Sequence, residues 1–234
     1  VVQIEMVQIE RVQNEMVQNE PMQNEGQSAD IVHAKVIQVA NRVELQRTHG
    51  LLQQDLNQQD LLQQAITMLN ERDKQIKQLL GDDGKAIPDS TREELKKMIN
   101  EVIDYNYMAK ESLQETYTDI TPEQRDEFVT LFSSMIRDNS LANPDIYRAA
   151  ITYDDARQTN GTIFVDTTAE LDDVRTTVGY LLEYRSNEWH ILDMSVDGVS
   201  TVESYRRQFQ SIIRKRGFEP LLNSLRKRAE RNQP

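Results

Sequence analysis

At 234 residues, with 38% hydrophobic and 28% charged side chains and a mean hydropathy of −0.67, the chain has room for one ordinary domain with a long appendage or for two small ones, and part of it carries no core. Thirty-nine acids against 27 bases leave a net charge of −12, which argues against general nucleic-acid binding, because phosphate affinity comes from clustered Lys and Arg. Without cysteine there is no disulfide framework, no thiolate nucleophile and no Cys-ligated metal, and the redox compartment is left open.

No run approaches the apolar length of a membrane span. The chain begins with Val rather than Met, so its start reads as a processed or trimmed end from which a signal peptide has been removed.

Residues 1–26 form a pentad repeat, VQIEM-VQIER-VQNEM-VQNEP-MQNEG. A period of five matches neither helix nor strand, so Val2, Val7, Val12, Val17 and Met22 build no continuous face, and residues 1–27 read as a low-complexity polar spacer. Residues 28–80 read as an amphipathic helix, with Ser28 as cap and Gly50 as an interruption. Leu62, Ile66, Leu69, Ile76 and Leu80 follow a-and-d spacing, with Asp73 as the polar exception. Too many seam positions upstream are polar for a long coiled coil; the helix either packs by its last part on the domain behind it or pairs with another helix.

After the turn signals Gly81-Asp82-Asp83-Gly84 and Pro88-Asp89, residues 81–230 read as the compact domain and 231–234 as a tail. Ser90 or Thr91 caps a helix carrying Leu95, Met98, Ile99, Val102, Ile103 and Met108. Thr121-Pro122-Glu123 starts the next, with Phe128, Leu131, Phe132, Met135 and Ile136 on one side. Four strand-like segments follow at about 146–153, 162–168, 176–185 and 188–196, with hairpin turns at Asn160-Gly161 and Ser186-Asn187. In the third, Val178, Tyr180, Leu182 and Tyr184 alternate with Thr177, Gly179 and Glu183, the pattern of an antiparallel sheet with one covered face. Helices at about 200–216 and 219–228 complete an α+β domain: a four-stranded antiparallel sheet with helices on one face.

Catalytic constellations are nearly absent. His33, His49 and His190 lie far apart, no HExxH or paired-His metal spacing exists, and no GxSxG, GxxxxGK or GxGxxG occurs. Asp193 and Asp197, near a strand end, are open to two readings: a buried general base, or a strand-edge acid beside turn chemistry. Large apolar residues are plentiful for a modest domain, and periodicity does not separate a filled core from a hollow one. From residue 204 onward nine Lys or Arg face two Glu, a balance of about +7 against about −19 for the remainder; this is either a solvated helix face or a surface for anionic headgroups or an acidic protein.

The order YNYMAKESL, TPEQRDEFVTLF, WHILDMSVDGVSTVESYRRQF and GFEPLLNSL closely resembles the MlaC family of periplasmic phospholipid-binding proteins, also called toluene-tolerance auxiliary components. The likeness covers about residues 66–227 and is most specific over 189–209. It departs where the family commonly shows Leu-Gly followed by Trp and this chain has Leu113-Gln114 and Tyr117, and where the family's Tyr is Asn139. The resemblance implies a nuclear-transport-factor-like fold, a curved sheet and helices enclosing an apolar cavity. It also implies a soluble periplasmic carrier that does no chemistry on its cargo, a glycerophospholipid, and needs no cofactor or metal. The implied partners are an outer-membrane lipoprotein complex and an inner-membrane Mla-type ABC transporter, with transient membrane contact.

On this basis Tyr105, Met108, Phe128 and Phe132 of the helices, and Val178, Tyr180, Leu182 and Met194 of the sheet, are expected to line the tail cavity. Val199, Tyr205, Phe209 and Ile213 are expected to form a third wall. A charge at Tyr180 or Phe132 is expected to cut lipid retention without unfolding the domain. Two alternatives remain: an adaptor with a filled core and a helical oligomerisation segment, and a cavity enzyme of the same fold using an Asp base.

Overall fold

A computed structural model describes residues 25–81, 87–140 and 144–231. The pentad repeats of residues 1–24, most of the 81–84 turn and the last three residues lie outside the described residues. The chain divides into two compact units, Val1–Asn57 and Gln58–Pro234.

Helix α1 (Glu25–Leu80) runs unbroken through Gly50 and begins before Ser28, so the expected cap and interruption are both corrected. Within the first unit, residues 42–48 are exposed apart from half-buried Val43. Within the second unit, Ala65, Leu69, Ile76 and Leu80 put one stripe of the helix into the domain core.

Helix α2 (Asp89–Asn100) follows Pro88, and neither Ser90 nor Thr91 caps it. It stops sooner than the apolar spacing predicts. Val102 and Ile103 leave the helix to meet the sheet: Ile103 bridges Ile191, with Ile191 N donating to Val102 O (2.6 Å) and Asp104 N to Ile191 O (2.9 Å). Asp104 then caps α3 (Tyr105–Leu113) by accepting from Tyr107 N. Buried backbone groups of such a connection need partners, and the strand segment carrying Ile191 supplies them.

Asp104 also pairs with Arg185. Burial alone would raise its carboxyl, but the donating Arg185 guanidinium and Tyr107 amide outweigh that and hold it below the usual carboxylate range. A folded-state value below the unfolded one stabilises the fold at neutral pH, and that contribution is lost as pH falls below about 4. Chemical denaturation of Asp104→Asn is expected to show lower stability at pH 7 and a flatter acid limb; an acid limb like that of the parent chain would contradict this role.

A short α4 (Glu115–Asp119) leads to α5 (Pro122–Ser140). Here the expected cap is present as a reciprocal pair, Gln124 N donating to Thr121 Oγ1 (3.3 Å) and Thr121 N to Gln124 Oε1 (3.0 Å). A 3-10 turn, Pro144–Arg148, occupies the start of the first expected strand.

The sheet has five strands in sequential antiparallel order, β1 (Ala150–Thr159), β2 (Thr162–Leu171), β3 (Val174–Arg185), β4 (Glu188–Val196) and β5 (Val199–Ser200), rather than the four expected. Each hairpin turns in two residues with both at positive φ: Asn160-Gly161, Asp172-Asp173, Ser186-Asn187 and Asp197-Gly198. That geometry matches the twist of the flanking strands and is why Asn, Asp and Gly fill these positions. Ser200 closes β5 and caps α6 (Thr201–Arg216), its Oγ accepting from Glu203 N (2.9 Å). Helix α7 (Phe218–Arg231) ends the described chain.

Interhelical polar contacts fix the helical layer. Arg206 and Gln210 of α6 donate to the Glu111 and Leu113 carbonyls at the end of α3 (2.9 and 2.7 Å). Arg226 of α7 makes a two-pronged pair with Glu127 of α5 (2.5 and 2.7 Å).

On the outer sheet face, the Phe164 ring lies where a side chain on Gly179 would stand. A Cβ there would sit 2.6 Å from both Phe164 Cζ and Ser195 Oγ. Arg157 stacks over the same ring at 4.3 Å while pairing with Asp166. Gly179→Ala must push the ring away and is expected to cost about 1–3 kcal/mol in denaturant unfolding; an unchanged midpoint would contradict the close fit.

Candidate functional site

Strand register sorts the inner face into rows. Gln158, Ile163, Leu182 and Ile191 form one; Ala156, Val165, Tyr180 and Met194 the next; Tyr153, Thr167, Val178 and Val196 the third. Burial changes along these rows. Ile163, Val165, Leu182 and Ile191 are closed in the core, Tyr180, Val178 and Met194 are half-buried, and Val196, Val199 and Val174 are about half exposed or more. The helices therefore cover one end of the apolar face and leave the β2–β3 turn end open.

Above the covered end sits an aromatic cluster. Phe132 of α5 stands 5.5 Å from Phe128, 5.4 Å from Phe209 and 5.0 Å from Tyr205 between ring centroids, and Phe128 also meets Phe218 at 6.0 Å. These edge-on and offset contacts are those of a packed core. Phe218, outside the expected set, completes the cluster.

The twelve expected liners separate into three groups. Met108, Phe128, Phe132, Leu182 and Phe209 are shut in by their neighbours and present no free surface in this conformation. Tyr105, Val178, Tyr180, Met194, Tyr205 and Ile213 are half-buried, and of these Val178, Tyr180 and Met194 share the inner face. Val199 lies in β5 opposite Val196, on the open end of the sheet, and not on a helical wall. A charge at Phe132 is accordingly expected to unfold the domain, which corrects the earlier expectation for that position.

Two clefts stand apart from these residues. One, of about 620 Å³, lies between α2 and α5 and is lined by charged and polar groups such as Lys96, Glu101, Ser134 and Arg137. The other, about 480 Å³, is a groove on the outer sheet face around Phe164, Asp166, Leu181 and Asp193. An enclosed apolar cavity lined by the twelve is thus not what either cleft provides.

Asp193 stands in that outer groove, in the row of Leu181, away from the apolar face. Its Oδ1 accepts from Met194 N (2.8 Å) and Val202 N (3.0 Å), and its Oδ2 from Ser200 Oγ (2.5 Å). Both oxygens are committed to holding the start of α6. Asp197, in the β4–β5 turn, accepts from Thr177 N of β3 (3.0 Å). These positions give the two acids structural work in place of general-base work.

Tyrosine hydroxyls gather on the inner side. Burial, with Tyr147 and Asp73 nearby, pushes the Tyr180 phenol up to about 12. Tyr105 is raised to about 12 by burial against the opposing pull of Arg137, whose guanidinium lies 5.7 Å over its ring, and its hydroxyl donates to Asn100 Oδ1 (2.7 Å). Burial, then Asp73 and Tyr180, raise Tyr153. Tyr153, the last residue of the first expected strand, is not among the expected liners; β1 pairs it with Thr167 on the inner face.

The fold is similar to that of a phospholipid-binding protein from Ralstonia solanacearum, solved in complex with a phospholipid. The two share a TM-score of 0.60 at 19% identity, over 73% of this chain and 97% of that one. The family model described as MlaC protein matches residues 59–227, and the chain belongs to the MlaC family. No curated protein matches it.

Proposed function

We propose that this chain is a soluble periplasmic phospholipid carrier, which shelters acyl chains against the inner sheet face and moves lipid between outer and inner membranes as a component of an Mla-type ABC transport system. One observation supports it most: an apolar sheet face that passes from closed to open along its rows, in a fold whose Ralstonia solanacearum relative holds a phospholipid. Acyl chains enter at Val196 and Val199, lie along Val178, Tyr180 and Met194, and part the helices from the sheet. Each methylene removed from water contributes about 0.8 kcal/mol, so two chains supply on the order of 20 kcal/mol toward that rearrangement. The lipid leaves chemically unchanged. An outer-membrane lipoprotein complex and an inner-membrane transporter are the docking partners of this reading, with transient membrane contact at each end.

A second reading, an adaptor with a filled core, is favoured by the tight aromatic cluster around Phe132. Transfer of a labelled phospholipid between donor and acceptor vesicles, separated by a filter that passes protein alone, distinguishes the two. The carrier reading expects acceptor signal in proportion to the chain added; acceptor vesicles that stay dark at every concentration favour the adaptor.

A further inference from the structure

Three residues from three helices meet at one corner of the helical layer. Arg228 of α7 donates from Nη2 to Asn139 Oδ1 (2.6 Å), and Asn139, in the last turn of α5, donates from Nδ2 to the Tyr205 hydroxyl of α6 (3.1 Å). A guanidinium only donates, so the amide oxygen must face Arg228 and the amide nitrogen must face Tyr205. The phenol oxygen is thereby the acceptor, and its own proton goes to no partner among the described residues. Arg228 likewise keeps N–H groups unspent, with no carboxylate paired to it among those residues. Asn139 is exposed and Tyr205 and Arg228 are half-buried, so these donors stand at the surface and are reached without any enclosed space.

The corner lies near the open end of the inner face. Helix α6 leaves the sheet at Ser200, next to Val199, and packs along β4. Tyr205 comes four residues after Thr201, about 6 Å along the helix axis. Its ring belongs to the apolar side, 5.0 Å from Phe132 and 5.5 Å from Phe209 between centroids, while its hydroxyl meets Asn139 at the surface. One side chain thus spans the boundary between apolar interior and water.

We propose, building on the carrier reading, that this corner takes the phosphodiester of the carried glycerophospholipid. Tyr205 donates its free hydroxyl proton and Arg228 its free N–H groups to phosphate oxygens, while Asn139 holds the two donors at a fixed spacing. The phosphodiester is common to every glycerophospholipid, so the contact selects for phosphate and leaves the rest of the headgroup in water. Hydrogen bonds from a guanidinium to a phosphate are charge-assisted and among the stronger ones available to a protein. A lipid with the same tails and no phosphate offers Arg228 no counter-charge, and the difference between the two cargoes is the selectivity.

The test loads the full chain from micelles of an uncharged detergent holding equal amounts of dioleoyl phosphatidylglycerol and dioleoylglycerol. The chain is re-isolated and both lipids are measured per chain by mass spectrometry of organic extracts. The parent chain is expected to be enriched several-fold in the phospholipid. Tyr205→Phe, which keeps the ring, is expected to lower the enrichment, and Tyr205→Phe combined with Arg228→Gln to abolish it with dioleoylglycerol per chain undiminished. Arg214→Gln, at an exposed cation near the other end of α6, is expected to keep the parent ratio. No enrichment in the parent, enrichment that survives in the double variant, or loss of both lipids alike from that variant overturns the phosphate site and leaves the carrier reading standing. Inorganic phosphate alone, titrated to millimolar concentration into the lipid-free chain, is expected to leave the Tyr205 and Arg228 nuclear magnetic resonance signals unmoved. A shift there assigns the corner to free phosphate and overturns its assignment to the lipid. No lipid of either kind on any of the chains overturns both the site and the carrier reading.

Discussion

Phe132→Ala is expected to cost about 3–5 kcal/mol of folding stability, the largest single loss foreseen for this domain. The ring is fully buried and touches Phe128, Phe209 and Tyr205, which come from two helices distant in sequence. Truncation removes the transfer free energy of the ring and leaves a hole that three rigid aromatic neighbours cannot close. For a domain of this size the melting temperature falls on the order of 10 °C. Thermal and denaturant unfolding of the lipid-free protein measure it. A loss below about 1 kcal/mol would mean the ring already borders open space, and the helices would then be loosely seated on the sheet.

Tyr180→Asp is expected to cut retained phospholipid at least tenfold. Tyr180 stands between Val165 and Met194 in the middle row of the inner face, half-buried, with Asp73 nearby. A carboxylate there faces acyl chains on one side and a like charge on the other, and neither compensates its lost hydration. Several kcal/mol against binding corresponds to more than a tenfold loss of affinity. Tyr180→Phe keeps the ring and is expected to retain most of the lipid, so the pair of variants separates charge from shape. Retention by Tyr180→Asp equal to that of the parent chain would remove the inner face from the binding site.

Much of this architecture is legible in local chemistry. Asn160-Gly161 and Ser186-Asn187 announce hairpins because few residues accept positive φ, and Thr121-Pro122 marks a helix start by its cap. Asp172-Asp173 makes an equally tight turn, and β2 and β3 run closer to it than the expected bounds of 162–168 and 176–185. Ile146 and Tyr147 look like strand residues, yet Pro144 starts a 3-10 turn there. The polar run from Asp154 to Gln158 forms strand because β1 is an edge with a solvated outer face. Val102 and Ile103 fit a helical period as well as a bridge; the deciding partner, Ile191, is nearly ninety residues away.

The site divides along the same line. Alternation placed Val178, Tyr180 and Leu182 on one face, and register confirms it. Whether Phe128, Phe132 and Phe209 line a space or fill it depends on volumes contributed by α3, α5, α6 and α7 together, which no single period reports. Asp193 posed the same difficulty, since its role as a clamp on α6 rests on donors seven and nine residues further on.

Native mass spectrometry of the chain purified without detergent tests the carrier account most directly. The account predicts that most molecules carry the added mass of one phospholipid, which organic extraction removes and incubation with membranes restores. The bare polypeptide mass alone, both from cells and after incubation with native membranes, would contradict it.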